Sequence, residues 1–235
     1  MSIPQSDQRL FEIDVLSRRK SYKFRPFLVK EEKILVMATQ SDDQLDLVKA
    51  IQQVITNCSF GEIQGDEIPI FDLQKIFMEL RSQSISPKFE VNFVCGHCNE
   101  TQPEEIDMRN FDIQEKEDHI NPIQVNDSTA IVMGYPTAEV LMEIGKAEQE
   151  MDIYHASASC IEEIHTKDDV LMASDLSIED RVEFIENLSL EEFGAFKQFF
   201  STMPVLEKEI EFTCKNKECG KTSTFYMNGY LDFFV

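Results

Sequence analysis

Several features that are common in enzymes and membrane proteins are missing from this sequence. The chain of 235 residues contains no tryptophan and only four histidines. It has no Walker phosphate-binding loop, no Gly-x-Ser-x-Gly nucleophile motif and no His-Glu-x-x-His motif. Its uninterrupted apolar runs, such as Ile34–Ala38, are far shorter than the roughly 20 residues that cross a bilayer. We therefore expect no enzyme activity, no small-molecule substrate and no membrane partner.

The first ten residues, MSIPQSDQRL, also lack the apolar stretch of a secretory signal. We therefore expect the chain to be made in a reducing cytoplasm. In that compartment cysteines serve as metal ligands, catalysts or buried thiols more often than as disulfides. The six cysteines of the chain consequently carry much of the functional information.

Basic residues are scarce as well. Lys and Arg total 22 against 44 Asp and Glu, which gives a net charge of −22. Because such a surface repels phosphate backbones, we expect no nucleic-acid partner. The charge is uneven, since residues 18–33 are mostly basic and residues 138–192 are strongly acidic. Each segment is either a solvated face or a surface that docks a partner of opposite charge, and 18–33 is the first candidate for a partner surface.

A hairpin and three helices are predicted for residues 1–87. FEIDV and KSYKF alternate like paired strands on either side of a basic turn. Helical periodicity then predicts helices over 29–38, over a stretch that includes Leu47 and Ile55, and near 70–84. Ser41 and Gln44 have the spacing of a capping box for the second of these helices.

The segment 129–206 is predicted to be mainly helical. STAIVMGYP resembles a strand that ends at Pro136, and the helical stretches that follow are 137–165, 178–187 and 190–202. Ser189 and Glu192 form a capping box for the last helix, whose phenylalanines are expected in the core.

One pattern occurs twice. FEVNFVCGHC, at 89–98, resembles KEIEFTCKNKEC, at 208–219, because each is an alternating strand that runs into a pair of cysteines. A second candidate strand follows each pair, near 104–113 and near 221–227. A strand, a cysteine turn and another strand, occurring twice, is the plan of a zinc ribbon.

This pattern predicts a structural Zn²⁺ site with four ligands, Cys95, Cys98, Cys214 and Cys219. Gly96 and Gly220 suit the tight turns that such a site needs. Four thiolates leave no open coordination position, so we expect no Lewis-acid chemistry. Buried thiols without a metal are the alternative.

The Cys95-Gly96-His97-Cys98 sequence also resembles the redox pair of a thiol–disulfide oxidoreductase. Such a pair lies at the start of a helix, which lowers the pKa of the first thiol. Pro103 and the polar sequence NETQPEE argue against a helix at this position. We keep a cytosolic oxidoreductase as the alternative function, and interpret Cys58 and Cys160 as core thiols.

Three further features have weaker interpretations. Glu162-x-x-His165 has the spacing of di-iron ligands, but the sequence has no second copy, so no metal is expected there. His119 has no identifiable partner. The aromatic C-terminal sequence GYLDFFV either packs into the core or forms a docking surface.

The predicted fold class is α+β, a helical body with a discontinuous zinc-ribbon-like β element that joins the chain middle to the C-terminus. The predicted divisions are the hairpin and helices at 1–87, the two ribbon halves at 88–128 and 207–235, and an acidic helical insertion at 129–206.

The sequence resembles the baseplate hub family of T-even-like contractile-tailed bacteriophages. The resemblance is carried by the two cysteine pairs and by RPFLVKEEKILVMA (25–38), AIQQVITNC (50–58), FDLQKIFMELRSQSI (71–85), GYPT (134–137), FFSTMPVLEKEIEFTC (199–214) and GYLDFF (229–234). It covers nearly the whole chain in order, although the second cysteine pair, Cys214-KNKE-Cys219, is longer than the family pattern.

The resemblance implies a non-enzymatic role in building the central hub of the tail baseplate, as a subunit or as an assembly factor. It implies other hub proteins as partners. It also implies a location in the host cytoplasm during assembly, and in the virion tail baseplate if the chain is a subunit.

Overall fold

Helices and antiparallel sheets are both present, in agreement with the predicted α+β class. The computed structural model describes residues 9–41, 43–146 and 151–227, without the side chains of 143–146 and 151–153. Two compact units are formed, one by Met1–Gln114 with Val205–Val235 and one by Glu115–Pro204. The second unit thus begins before the insertion predicted at 129–206, and the four sequence divisions stay predictions. None of the described helices has the length and apolar character to cross a membrane.

The N-terminal residues form the predicted hairpin and three helices. Their bounds are β1 Phe11–Val15, β2 Lys20–Phe24, α1 Val29–Ala38, α2 Gln44–Cys58 and α3 Ile70–Ser84. Asp72 in the first turn of α3 is buried, and its carboxylate accepts hydrogen bonds from the N–H groups of Leu16 and Ser17 at 2.9 and 3.0 Å. This contact connects the turn of the hairpin to α3.

The start of α2 differs from the prediction. Asp43 is the N-cap, and its carboxylate accepts a hydrogen bond from the N–H of Leu45 at 2.9 Å. The hydroxyl of Ser41 instead accepts from the N–H of Asp43 and donates to the carboxylate of Asp46. The predicted capping box is wrong because an aspartate immediately before the helix caps it as well as a serine does.

The first cysteine pair lies between two strands. These are β3 Lys88–Val94 and β4 Thr101–Asp107, and a 3₁₀ turn at Met108–Asn110 and the short strand β5 Asp112–Gln114 follow. The predicted strand near 104–113 is therefore two strands separated by a turn. On the inward face of the β3–β4 hairpin lie Val91, Phe93, Gln102 and Ile106, all of them buried.

The second unit contains a four-stranded antiparallel sheet in the order β6-β7-β8-β9. Its elements are β6 Ile123–Asn126, β7 Thr129–Met133, α4 Ala138–Lys146, α5 Met151–Ser159, β8 Ile161–His165, β9 Val170–Met172, α6 Ile178–Glu186 and α7 Leu190–Thr202. The capping box of Ser189 and Glu192 is confirmed at the start of α7. Phe193, Phe196 and Phe199 are buried in the core of this unit, as predicted.

Residues 161–165 form β8 instead of the end of the predicted helical stretch 137–165. Ile161 and Ile164 are three positions apart, which fits a helix face, and both are buried. Pairing with β7 places them opposite Met133 and Ile131, with a register shift that allows both to face the core. The pairing outweighs the local spacing, which is why the helix prediction is wrong here.

The last described strands are β10 Val205–Thr213 and β11 Thr222–Met227, which enclose the second cysteine pair. The first three residues of β10 pair with β5, and its last six pair with β11. The aromatic residues at 230–234, whose location the sequence left open, lie outside the described residues.

His119 has two partners that the sequence does not reveal. Its Nδ1 lies 3.0 Å from the hydroxyl of Thr202, and its Nε2 lies 2.9 Å from the hydroxyl of Tyr135. Since the Thr202 hydroxyl donates to the carbonyl of Gln198, it accepts a hydrogen bond from Nδ1–H of His119. In the neutral ring Nε2 then accepts from the hydroxyl of Tyr135. Burial lowers the pKa of His119, while the nearby charges of Asp118 and Glu115 act in the opposite direction.

We expect His119→Gln to lower the free energy of unfolding by about 1–2 kcal/mol at pH 7.5, because two hydrogen bonds are lost. The pKa of His119 is lowered on folding, so its contribution is present above the ordinary value of 6.5 and is lost as the pH falls below it. Urea unfolding at pH 7.5 and pH 5 should therefore show a smaller difference between the two proteins in acid. An equal difference at both pH values would contradict this account.

Candidate metal centre

The sulfur atoms of Cys95, Cys98, Cys214 and Cys219 lie within 4.8 Å of one another. Two sulfur contacts join the hairpins, with 3.6 Å between the Sγ atoms of Cys98 and Cys214 and 3.9 Å between those of Cys95 and Cys219. The structure thus brings together all four cysteines that the sequence singles out. They form the one group of three or more potential metal ligands in the described part of the chain.

Backbone hydrogen bonds shape the first cysteine turn. The N–H of Cys95 donates to the carbonyl of Glu100 at 2.8 Å, and the N–H of Asn99 donates to the carbonyl of Cys95 at 2.9 Å. Asn99 has a φ of 60°, in the left-handed region that asparagine tolerates better than most residues. Gly96 does not have a positive φ, and a Cβ there would meet nothing within 4 Å. The left-handed residue of this turn is therefore Asn99, and the backbone at Gly96 does not itself require a glycine.

The second cysteine turn closes in the same way. The N–H of Cys214 donates to the carbonyl of Lys221 at 2.9 Å, and Gly220 takes the left-handed conformation with a φ of 56°, as predicted. The tight turn itself begins at Asn216, whose carbonyl accepts from the N–H of Gly220 at 2.9 Å. The longer spacing of this pair is thus accommodated before the turn, between Cys214 and Asn216. Within the turn, Cys219 occupies the position of Cys98, and Gly220 occupies that of Asn99.

Aromatic rings hold the two hairpins together behind the sulfurs. Phe93 of β3 stacks on Phe212 of β10 with 5.2 Å between ring centroids, and it meets the edge of Phe225 of β11 at 4.8 Å. Phe93 and Phe212 both belong to a buried cluster that includes Met78 of α3 and Met227. The predicted proximity of these two strands rests on side-chain packing, because β3 pairs with β4 while β10 pairs with β5 and β11.

A buried glutamine links the hairpins more directly. Gln102 of β4 is 3 % exposed. Its Oε1 accepts from the N–H of Lys215 at 2.7 Å, and its Nε2 donates to the carbonyl of Thr213 at 3.1 Å. These two backbone groups lie on either side of Cys214, so the Gln102 amide positions that ligand. A polar residue at an inward-facing position of the strand was the available sequence signal, but the predicted strand began only at 104.

Backbone hydrogen bonds, burial and the neighbouring thiols all shift the pKa values of these cysteines. Hydrogen bonds from the N–H groups of His97 and Cys98 lower the pKa of Cys95 to about 6. The N–H of Glu100 lowers the pKa of Cys98, but burial and the three neighbouring thiols outweigh it and raise that pKa to about 12. Four thiols this close together cannot all ionise unless a cation compensates their negative charges.

The sulfur arrangement fits a tetrahedral metal ion. With a Zn–S distance of about 2.3 Å, the edges of a tetrahedron of sulfurs are about 3.8 Å long. The Cys98–Cys214 and Cys95–Cys219 distances, 3.6 and 3.9 Å, bracket that value. They also greatly exceed the roughly 2.05 Å of a disulfide bond. Four thiolate ligands in this geometry favour zinc or iron over magnesium or calcium, which prefer oxygen.

The geometry gives no support to the oxidoreductase alternative. A thioredoxin-type cysteine pair begins a helix, whereas Cys95 and Cys98 lie in a turn between β3 and β4. Each of these sulfurs also lies within 4 Å of a sulfur on the other hairpin. The arrangement suits four ligands around one centre better than an isolated pair that exchanges disulfides.

The remaining candidate residues lie elsewhere. Cys58 and Cys160 are buried core thiols, as predicted, and burial raises their pKa values to about 11 and about 12. Glu162 and His165 lie on β8 instead of a helix, and His165 contacts Glu163 at 2.7 Å. In the described residues they belong to no cluster of potential ligands.

A comparison with protein families gives one match of nearly full length. The family model described as T4 bacteriophage base plate protein matches residues 9–235. No curated protein and no solved structure matches the chain significantly.

We expect Gln102→Leu to lower the free energy of unfolding by about 2–4 kcal/mol, because the backbone groups of Thr213 and Lys215 lose their partner. It should also weaken metal binding, measured by competition with a chromophoric chelator. Gln40→Leu is the matched control, since Gln40 is exposed and lies outside the β3–β4 and β10–β11 hairpins. Unchanged metal binding in Gln102→Leu would show that this amide does not position the Cys214 ligand.

Proposed function

Since the chain belongs to the family of T4 bacteriophage base plate proteins, we propose that it acts in the central hub of the baseplate. It does so as a hub subunit or as an assembly factor, and a zinc ion bound by its four clustered cysteines has a structural role. The convergence of the four sulfurs within 4.8 Å is the observation that carries the metal part of this proposal. The sequence blocks that resemble hub proteins carry the hub part.

The ion connects two distant parts of the chain. Cys98 and Cys214 are 116 positions apart. Closing so long a loop costs roughly 4 kcal/mol in chain entropy. A structural zinc ion contributes on the order of 10 kcal/mol of apparent binding free energy in small zinc fingers. The ion therefore stabilises the contact between the β3–β4 and β10–β11 hairpins even after the loop cost is subtracted.

The donor set favours a structural role over a catalytic one. A catalytic zinc has three protein ligands and an open position for water or substrate, whereas four thiolates complete the tetrahedron. The metal thus stiffens a surface and activates no substrate. A rigid protein without an enzyme activity suits an assembly whose subunits must keep their shape under load.

The two hairpins support the proposed zinc-ribbon interpretation of the segments 88–128 and 207–235. Each has a strand, a turn with two cysteines, a left-handed residue directly after the second cysteine, and a return strand. The segment between them is, in this proposal, an insertion into the ribbon. Hub proteins are the proposed partners, in the host cytoplasm during assembly.

We expect the purified protein to contain one zinc per chain by mass spectrometry of metals. Cys214→Ser should lose most of it and should lower the thermal unfolding midpoint, because Cys214 is one of the two buried ligands. Cys160→Ala is the control, since this thiol is buried in the other unit and should leave the metal content unchanged. Iron in place of zinc would correct the identity of the ion, and a metal-free protein with normal stability would refute the site.

The hub assignment has a separate test. A tagged chain recovered from infected cells should bring down identified hub proteins. The protein composition of purified particles then distinguishes the two roles. A subunit is present in infected cells and in particles, whereas an assembly factor is present in infected cells and absent from particles. Association with peripheral baseplate proteins alone would contradict a role in the hub.

A further inference from the structure

Helix α1 buries one carboxylate and leaves several apolar residues exposed, although Leu35 is buried and Glu32 is exposed as in an ordinary surface helix. Glu31 is completely buried, whereas Val29, Val36 and Met37 are 82, 52 and 63 % exposed. A surface helix ordinarily buries its apolar stripe and exposes its carboxylates. The side that faces solvent therefore needs an explanation other than solubility.

A buried ion pair determines which side of α1 faces inward. Arg25 is 6 % exposed, and its guanidinium holds both carboxylate oxygens of Glu31, at 2.9 and 3.2 Å. The same carboxylate accepts the N–H of Leu28 at 2.9 Å, and the N–H of Arg25 donates to the carbonyl of Cys58 at 3.0 Å. These contacts fix the rotation of α1 about its axis, although hydrophobic residues of the same helix remain outside.

The outward side combines apolar and basic side chains. At about 100° per residue, five residues follow one another over roughly 120° of the helix circumference, and we name them the α1 face. In angular order they are Val36, Val29, Lys33, Met37 and Lys30. The Lys30 side chain is 65 % exposed, although its Nζ lies 3.6 Å from the carboxylate of Glu31, and Lys33 is exposed too. A basic surface of this kind is unusual in a chain with a net charge of −22.

This composition identifies the chemistry of a partner. Exposed apolar side chains bind apolar ones, and the two lysines favour carboxylates around them. A symmetric contact between two copies through this face would bring the lysines of both copies together, which is unfavourable. We propose that the α1 face docks an acidic amphipathic segment of a different baseplate protein.

The proposal refines the candidate surface at 18–33. Within that segment Arg25 and Glu31 are internal and orient the helix, so they are not available to a partner. Docking is assigned to the α1 face, and part of that face, Val36 and Met37, lies beyond the basic segment. The proposal rests on the family and on the geometry of α1, and it does not require the metal centre.

The test uses the full chain in infected cells. A photo-reactive benzoylphenylalanine is introduced at Val36 in one variant and, as the matched control, at Leu190 in another, since Leu190 is 85 % exposed on α7. After irradiation, the cross-linked peptides are sequenced by mass spectrometry. We expect Val36 to yield a peptide of another baseplate protein that is acidic and has apolar residues, and Leu190 not to yield that peptide.

A charge reversal completes the test. In the Val36 variant, Lys33→Glu should reduce the cross-link about ten-fold, because like charges then face each other. Lys30 is left unchanged, since its Nζ lies 3.6 Å from the carboxylate of Glu31, which orients the helix. The fold is checked by circular dichroism, which should not change, since Lys33 is exposed. No cross-link, a cross-link to a second copy, a neutral or basic peptide, or an undiminished yield after charge reversal would each overturn the proposal. Because zinc content is measured separately, failure here does not affect the proposed structural role of the metal.

Discussion

The meeting of the β3–β4 hairpin with the β10–β11 hairpin is the constraint on which the first unit depends. No backbone ladder joins β3–β4 to β10 or β11, so side chains must hold them. The stack of Phe93 on Phe212 supplies apolar burial, the Gln102 amide supplies directional hydrogen bonds, and the four sulfurs converge at one end. The apolar contact favours association of the two hairpins over a range of relative positions. The Gln102 amide and the four sulfurs can be satisfied in only one of these positions, so the polar groups specify how the hairpins align.

The two polar anchors of this unit work by the same principle. Gln102 and the Arg25–Glu31 pair are both buried, and both have their hydrogen-bonding groups matched by partners at ordinary distances. A buried ion pair contributes little net stability compared with apolar packing, but it penalises any arrangement that leaves one partner alone. In α1 the cost of separating Arg25 from Glu31 exceeds the free energy that burial of Val36 and Met37 would contribute. In β4 the corresponding cost arises if Cys214 is displaced, because Gln102 then loses its hydrogen-bond partners on either side of that cysteine.

The sequence predicted most of what depends on local periodicity and on residue spacing. The first hairpin, α1, α3, the cap of α7 and the meeting of the four cysteines follow from such patterns. The errors arose where distant contacts decide. β8 is a strand because β7 is available to pair with it, and Ile161 and Ile164 alone fit a helix equally well. Thr202 lies 83 positions from His119, and Thr213 and Lys215 lie 111 and 113 positions from Gln102, so no local pattern contains these partners.

The separation of the two cysteine pairs also has a consequence during translation. At roughly 5–20 residues per second, a ribosome needs about 6–23 s to progress from Cys98 to Cys214. Throughout that interval the nascent chain carries a two-thiol half-site that can bind a metal only weakly, and its Phe93 ring lacks the stacking partner. The first hairpin is therefore a vulnerable intermediate, open to oxidation and to wrong association, until the β10–β11 hairpin has been made.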